Sequence, residues 1–221
     1  MRHTYLLLIS IFFFSFSLHA QRYEWIQTFN NQGSSLDDKQ IAVFGNNVIV
    51  TGRFQNTISF GSTVLTTNNS SINLYIANYD TLGNFQWAIK EGGVNAGFDD
   101  IKGVEVDDFG NIYVIGTFTE VANWGNLTLT KNSPNSSINS REGFIVKIDG
   151  QGVAQWIRGI YGLSNSISFD GLTFISTVDS SVYVGGGYNQ NIQIAGNPTI
   201  LSPGTGSPLG PATFVARFDL N

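Results

Sequence analysis

One set of phrases is written three times along this chain, and that repetition limits its fold more than any other feature. Trp25, Trp87 and Trp156 stand 62 and 69 residues apart. An apolar phrase closing on Gly and an aromatic recurs at Val48–Phe54, Ile112–Phe118 and Val182–Tyr188. Its glycines Gly52, Gly116 and Gly186 are 64 and 70 residues apart. A last phrase recurs at Leu74–Asp80, Gly143–Asp149 and Thr213–Asp219, and Asp80, Asp149 and Asp219 are 69 and 70 apart. Three independent landmarks with one period mark a structural repeat rather than a chance likeness.

Each unit reads as strands. The runs are short, rich in Val, Ile, Tyr, Phe and Thr, and are broken by Gly, Asn and Asp. An inner strand (41–44, 104–107, 172–176) precedes the strand that carries the repeated Gly. A third strand ends at Phe60-Gly61, Trp124-Gly125 and Ile194-Ala195-Gly196; a fourth ends at the repeated Asp, and a turn leads into the Trp strand. Asp80-Thr81-Leu82-Gly83-Asn84 and Asp149-Gly150-Gln151-Gly152 place Gly where a tight turn needs positive φ. No helical periodicity follows residue 20. A repeat of about 65 residues with four or five antiparallel strands suits a propeller blade. The expected fold is all-β: three four-stranded blades at about 25–86, 87–155 and 156–221, forming an incomplete or open propeller. Three blades are fewer than the usual four to eight. Further blades beyond Asn221, or blades of another copy, are expected to complete the ring.

The N-terminus is of another kind. Arg2 and His3 precede the apolar run Tyr5–Leu18, and Leu18-His19-Ala20 reads as a cleavage site. The run is about fourteen residues, short of the roughly eighteen that span a bilayer. Residues 1–20 are thus expected to be a secretory signal, with the repeat domain at 21–221 and no transmembrane segment. His3 and His19 are the two histidines, Met1 is the one Met, and Cys is absent. The exported chain then has no His-based triad, no Cys nucleophile and no His- or Cys-ligated metal or haem. Its 11 Lys+Arg against 16 Asp+Glu give a net charge of −5, which argues against a nucleic-acid surface.

Asp108–Phe118, Trp124-Gly125 and Phe144–Trp156 resemble the bacterial SBBP-type β-propeller repeat found in secreted proteins of the Bacteroidetes group. The resemblance covers nearly all of residues 21–221 and implies a secreted or cell-envelope propeller. It implies little about activity, because a fold does not fix a function. The spacing Asp80, Gly83, Trp87 and Asp149, Gly152, Trp156 also looks like the tryptophan-docking motif of quinoprotein propellers. The simpler reading is structural: Asp and Gly make the turn and Trp packs between blades.

Asp37-Asp38, Asp99-Asp100 and Asp170 precede the inner strands. Asp37, Asp99 and Asp170 are candidate Ca²⁺ ligands, with capping of turns as the favoured alternative. Trp124, in a slot filled elsewhere by Phe60 and Ile194, is either core or a platform on which a sugar stacks. No Glu recurs or sits in a distinctive apolar context, so no catalytic carboxylate pair is singled out. The loops Thr66–Ser71, Asn132–Ser140 and Ser202–Pro211 share one phase and vary most, as binding loops or spacers do. The expectation is a non-enzymatic module, without cofactor, that binds or displays a protein or glycan. A glycan-active enzyme or lectin, and a quinone- or Ca²⁺-dependent propeller, are the alternatives.

Overall fold

The computed structural model describes residues 24–31, 40–67, 71–93, 99–132, 141–162, 169–179, 181–188, 191–194, 200–201 and 212–219. All regular structure in them is β. Unit one holds β1 (Asn30–Asn31), β2 (Gln40–Phe44), β3 (Asn47–Gln55), β4 (Thr57–Phe60), β5 (Thr63–Thr66) and β6 (Ile72–Asp80). Unit two holds β7 (Phe85–Lys90), β8 (Asp100–Val106), β9 (Ile112–Phe118), β10 (Val121–Trp124), β11 (Leu127–Thr130) and β12 (Glu142–Ile148). Unit three holds β13 (Ala154–Gly162), β14 (Phe169–Val178), β15 (Ser181–Tyr188), β16 (Ile192–Ile194), β17 (Ile200–Leu201) and β18 (Ala212–Asp219).

The unit therefore has six strands: one at or just after the repeated Trp, the four expected of a blade, and one beyond that expectation. The extra ones, β5, β11 and β17, fold back on β4, β10 and β16. Gly61-Ser62 and Gly125-Asn126 make the two-residue turns of the first two hairpins, with both glycines at positive φ. The third strand of each unit is thus drawn out of the main sheet. Its place is taken by the following unit's first strand: β2-β3-β6-β7 form one antiparallel sheet, and β8-β9-β12-β13 repeat that order within a six-stranded sheet that β16 and β17 of unit three extend from β13. The third sheet is β14-β15-β18.

The repeated glycines fit this pairing. Gly52 faces Tyr75, Gly116 faces Phe144, and Gly186 faces Phe214 across the ladder. A Cβ on Gly52 would lie 2.8 Å from the Tyr75 hydroxyl, and one on Gly116 would lie 2.6 Å from the Phe144 ring. At Gly116 the Asp100 carbonyl oxygen would be closer still, at 2.2 Å, and at Gly186 the Gly171 carbonyl oxygen would lie at 2.2 Å. The facing aromatic thus excludes a side chain at Gly52, and the neighbouring strand's backbone does so at the other two.

The core lies between sheets rather than within one. Ile49, Leu74 and Ile76 of unit one pack with Val114, Phe118, Trp124 and Val146 of unit two. Tyr113, Ile115 and Ile145 on the other face of unit two pack with Leu172, Val182 and Val184 of unit three. A third cluster, with Val48, Phe54, Phe60, Tyr75 and Tyr79, covers the outer face of unit one. The central strand β9 is buried along its whole length. No helix among the described residues is long and apolar enough to cross a membrane.

Candidate functional site

Most of the repeated polar residues are engaged in turns. Asp80 Oδ1 accepts the backbone N–H of Leu82 at 3.0 Å and of Asn84 at 2.8 Å. Asp149 Oδ1 does the same for Gln151 at 3.0 Å and Val153 at 2.9 Å. Asp107 repeats the arrangement in the turn between β8 and β9, accepting from Phe109 and Asn111. These are Asx turns, in which the carboxylate takes the place of a backbone carbonyl. The Asn84 amide and backbone hold the Asp80 carboxyl below its ordinary range.

The Asp80 and Asp149 turns each also receive a tryptophan. Trp25 Nε1 donates to Thr81 O and Trp87 Nε1 donates to Gly150 O, both at 3.0 Å. Gly83 and Gly152, at φ +85° and +84°, lie beneath the indoles: a Cβ would stand 2.9 Å from Trp25 and 3.0 Å from Trp87. Trp156 packs against Tyr113, with the Arg158 guanidinium 5.5 Å over its ring. Asp219 ends β18.

The Ca²⁺ candidates do not converge among the described residues. Asp37 lies outside them, and Asp170 belongs to β14 with its side chain outside them. Asp99 Oδ1 accepts both the backbone N–H and the hydroxyl of Thr119 at 2.9 Å, and so caps the link between β9 and β10. Asp100 pairs with Lys102. Among the described residues, no group of three or more His, Cys, Asp or Glu is placed to hold a metal ion. Of the variable loops, 68–70, 133–140 and 202–211 also lie outside the described residues.

Sequence reasoning missed a set of polar groups buried at the junction of units one and two. Glu91 is 0% exposed, Asp99 is buried close enough for its charge to act on Glu91, and Asp100 and Glu142 are buried too. Glu91 follows β7 where the chain leaves sheet one for β10. Its N–H donates to Leu74 O at 3.0 Å, and the next N–H, of Gly92, donates to Asn123 O at 2.8 Å. Glu91 Oε1 accepts from the Asn123 N–H at 2.9 Å, and Oε2 from the Asn73 amide at 3.5 Å. One carboxyl thus ties β6 of unit one to β10 of unit two. Burial, then the charge of Asp99, pushes Glu91 up to about 8. Burial pushes Asp99 up to about 6, against the opposing hydrogen bonds from Thr119 and the charges of Arg53 and Arg141. The pair therefore holds a proton near neutral pH, in the manner of carboxyls taken out of water together.

The signal for Glu91 was present in the repeat. Four residues after the repeated Trp, units one and three carry Phe29 and Ile160, so Glu91 occupies an apolar slot.

Trp124 lies in the unit-two core, 1% exposed, with its ring 5.9 Å from that of Phe144. It forms one wall of a groove of about 420 Å³ lined also by Ile89, Lys90, Leu127 and Val153. Its Nε1 has no acceptor among the described residues. The ring is thus held as core while its edge borders a space of ligand size. No protein-family model matches the sequence, and no curated protein is detectably similar to it.

Proposed function

We propose that this chain is an exported, non-enzymatic repeat scaffold that binds a protein or a glycan, its units being successive blades of an incomplete propeller. The observation that carries the reading is the engagement of Asp80, Asp107 and Asp149 by their own turns, with Trp25 and Trp87 docked on two of them. Side chains that could serve chemistry are spent on making turns, two of which join one unit to the next, as in repeat proteins that present a surface. The blade reading is further supported by β8 packing against β2 on one side and β14 on the other, inner strand to inner strand. Export is supported by the charged start and the apolar run Tyr5–Leu18. The groove beside Trp124, with apolar walls and the Lys90 amine hydrogen-bonded to Thr66 O at its rim, is the place for the ligand.

A glycan array run together with a panel of glycoside-hydrolase substrates tests this reading. Saturable binding that Leu127→Asp weakens, with no product released from any substrate, is the expected result. Turnover of a substrate would replace the scaffold with an enzyme. A melting temperature raised by Ca²⁺ or a quinone would replace it with a cofactor-dependent propeller. Recovery of the chain in the cytoplasm with residues 1–20 intact would remove the export claim.

A further inference from the structure

The two junctions inside the chain are built alike. At each, the sixth strand of one unit takes the first strand of the next as its antiparallel neighbour. Asn78 opposes Trp87 and Ile76 opposes Ile89; Lys147 opposes Trp156 and Ile145 opposes Arg158. At each, one face of a sheet also lies on the opposite face of the following sheet, Ile76 with Val146 and then Ile145 with Val184.

Both halves of such a junction stand open elsewhere in the described residues. β18 is an edge strand, paired with β15 on its inner side. Val215 occupies the place of Ile76 and Ile145, four residues before the repeated Asp. Those two are 0% exposed, and Val215 is 64% exposed. Phe174 and Tyr183 are exposed on the same face, since Phe174 and Val215 both oppose Gly185 and Tyr183 opposes Arg217. At the other end, residues 24–28 are the counterpart of β7 by the position of Trp25. Among the described residues they belong to no sheet, and Ile26 is 66% exposed. Their place is nonetheless fixed, because Trp25 and the Gln27 amide donate to Thr81 O and Gly83 O. Ile41 and Val43, opposite Val50 and Val48 on the outer face of sheet one, are exposed too.

We propose that a second copy of this chain supplies the missing half. Residues 24–28 of one copy add antiparallel to the outer edge of β18 in the other. The open face of the third sheet then packs on the part of the first sheet's outer face that is still exposed, at Ile41 and Val43 of β2. Registers at the two internal junctions agree, and they place Trp25 opposite Arg217, Ile26 opposite Ala216, and Gln27 opposite Val215. Within one chain the second sheet separates these faces, with β8 against β2 and β3 on one side and against β14 on the other. Three units closing on themselves would make a ring smaller than the four to eight blades propellers use. Two copies make the contact once in each direction and close a six-unit ring on a two-fold axis. The ring rests on the blade reading proposed above; the strand pairing does not.

Light scattering on the purified full chain, expressed with its own N-terminus, should give twice the monomer mass. Val215→Lys buries a charge at the contact, and Ile26→Pro places a ring without an N–H in the added strand. Each should weaken self-association on the order of tenfold or more, and far-UV circular dichroism should not change, since both positions are exposed. The chain has no cysteine, so a disulfide can report register. Gln27→Cys with Val215→Cys should link two copies under mild oxidation, and Gln27→Cys with Thr213→Cys should not. A monomer at every concentration overturns the proposal, as does a disulfide formed within one chain, equal linkage in both pairs, or an open-ended series of oligomers. A correctly linked dimer that binds no protein or glycan leaves this inference standing and removes the binding function.

Discussion

Glu91 shows how far one side chain departs from its repeat. Where Phe29 and Ile160 continue the apolar pattern, a carboxyl is buried and hydrogen-bonded to Asn73 and Asn123 across two units. Burial in low dielectric disfavours its charged form, and Asp99 adds repulsion once both ionise. The folded carboxyl titrates at about 8 and the unfolded one near 4.5, so between these values the folded state binds more protons. Stability is complete below pH 4.5 and is lost as pH rises through 8; Asp99 adds a smaller loss between 3.8 and about 6. The melting temperature should fall between pH 5 and pH 8, and Glu91→Gln should remove most of that fall. At pH 8 the variant should be more stable by about 4 kcal/mol. Thermal unfolding at both pH values checks this, and a wild-type melting temperature that rises with pH would contradict it. A polar residue in an aligned apolar slot was visible in the sequence. Its burial was not, because nothing in the spacing says that the strand crosses between sheets at that point.

At the scale of the element, the Asp-x-x-Gly turn recurs at Asp80–Gly83, Asp107–Gly110 and Asp149–Gly152, and two of these carry a docked Trp. The comparison separates two roles of the glycine. Gly110 has φ +80° with nothing within 4 Å of a Cβ, so Gly110→Ala should cost about 1 kcal/mol through the backbone alone. Gly152 has φ +84° and the Trp87 indole at 3.0 Å, so Gly152→Ala should cost about 2–3 kcal/mol by also displacing the ring. Urea unfolding of both variants tests the difference; equal costs would mean that the docked Trp contributes no packing there. The turns and most strands were legible because Gly, Asp and β-branched residues act locally. The sheets were less so. β5, β11 and β17 are two to four residues long, and a short hairpin pairs as well with itself as with a larger sheet. Which strand completes a sheet depends on partners about ten residues away in one direction and thirty in the other, and the local pattern is silent on that choice.

At the scale of the molecule, stability is shared between neighbours rather than gathered in one core. Unit two is covered on both faces, by Ile49 and Ile76 on one side and by Val182 and Val184 on the other. The third sheet is covered on one face, and β18 alternates between exposed and covered positions where β12 is almost wholly buried. In a stack with nearest-neighbour coupling, a unit with one neighbour opens at lower free energy than a unit with two. Amides of Ile112–Phe118 and Gly143–Ile148 should therefore exchange slowest in native-state hydrogen exchange, and those of Ala212–Asp219 much faster. The same measurement separates a permanent edge from one that a second copy covers. Diluting the protein leaves the β9 and β12 rates unchanged, because their partners are covalently attached. The β18 rates should rise on dilution as the added strand departs, and Val215→Lys should fix them at the dilute value at every concentration. Slow, concentration-independent exchange along β18, equal to that of β12, would mean that its outer edge is closed within a single chain.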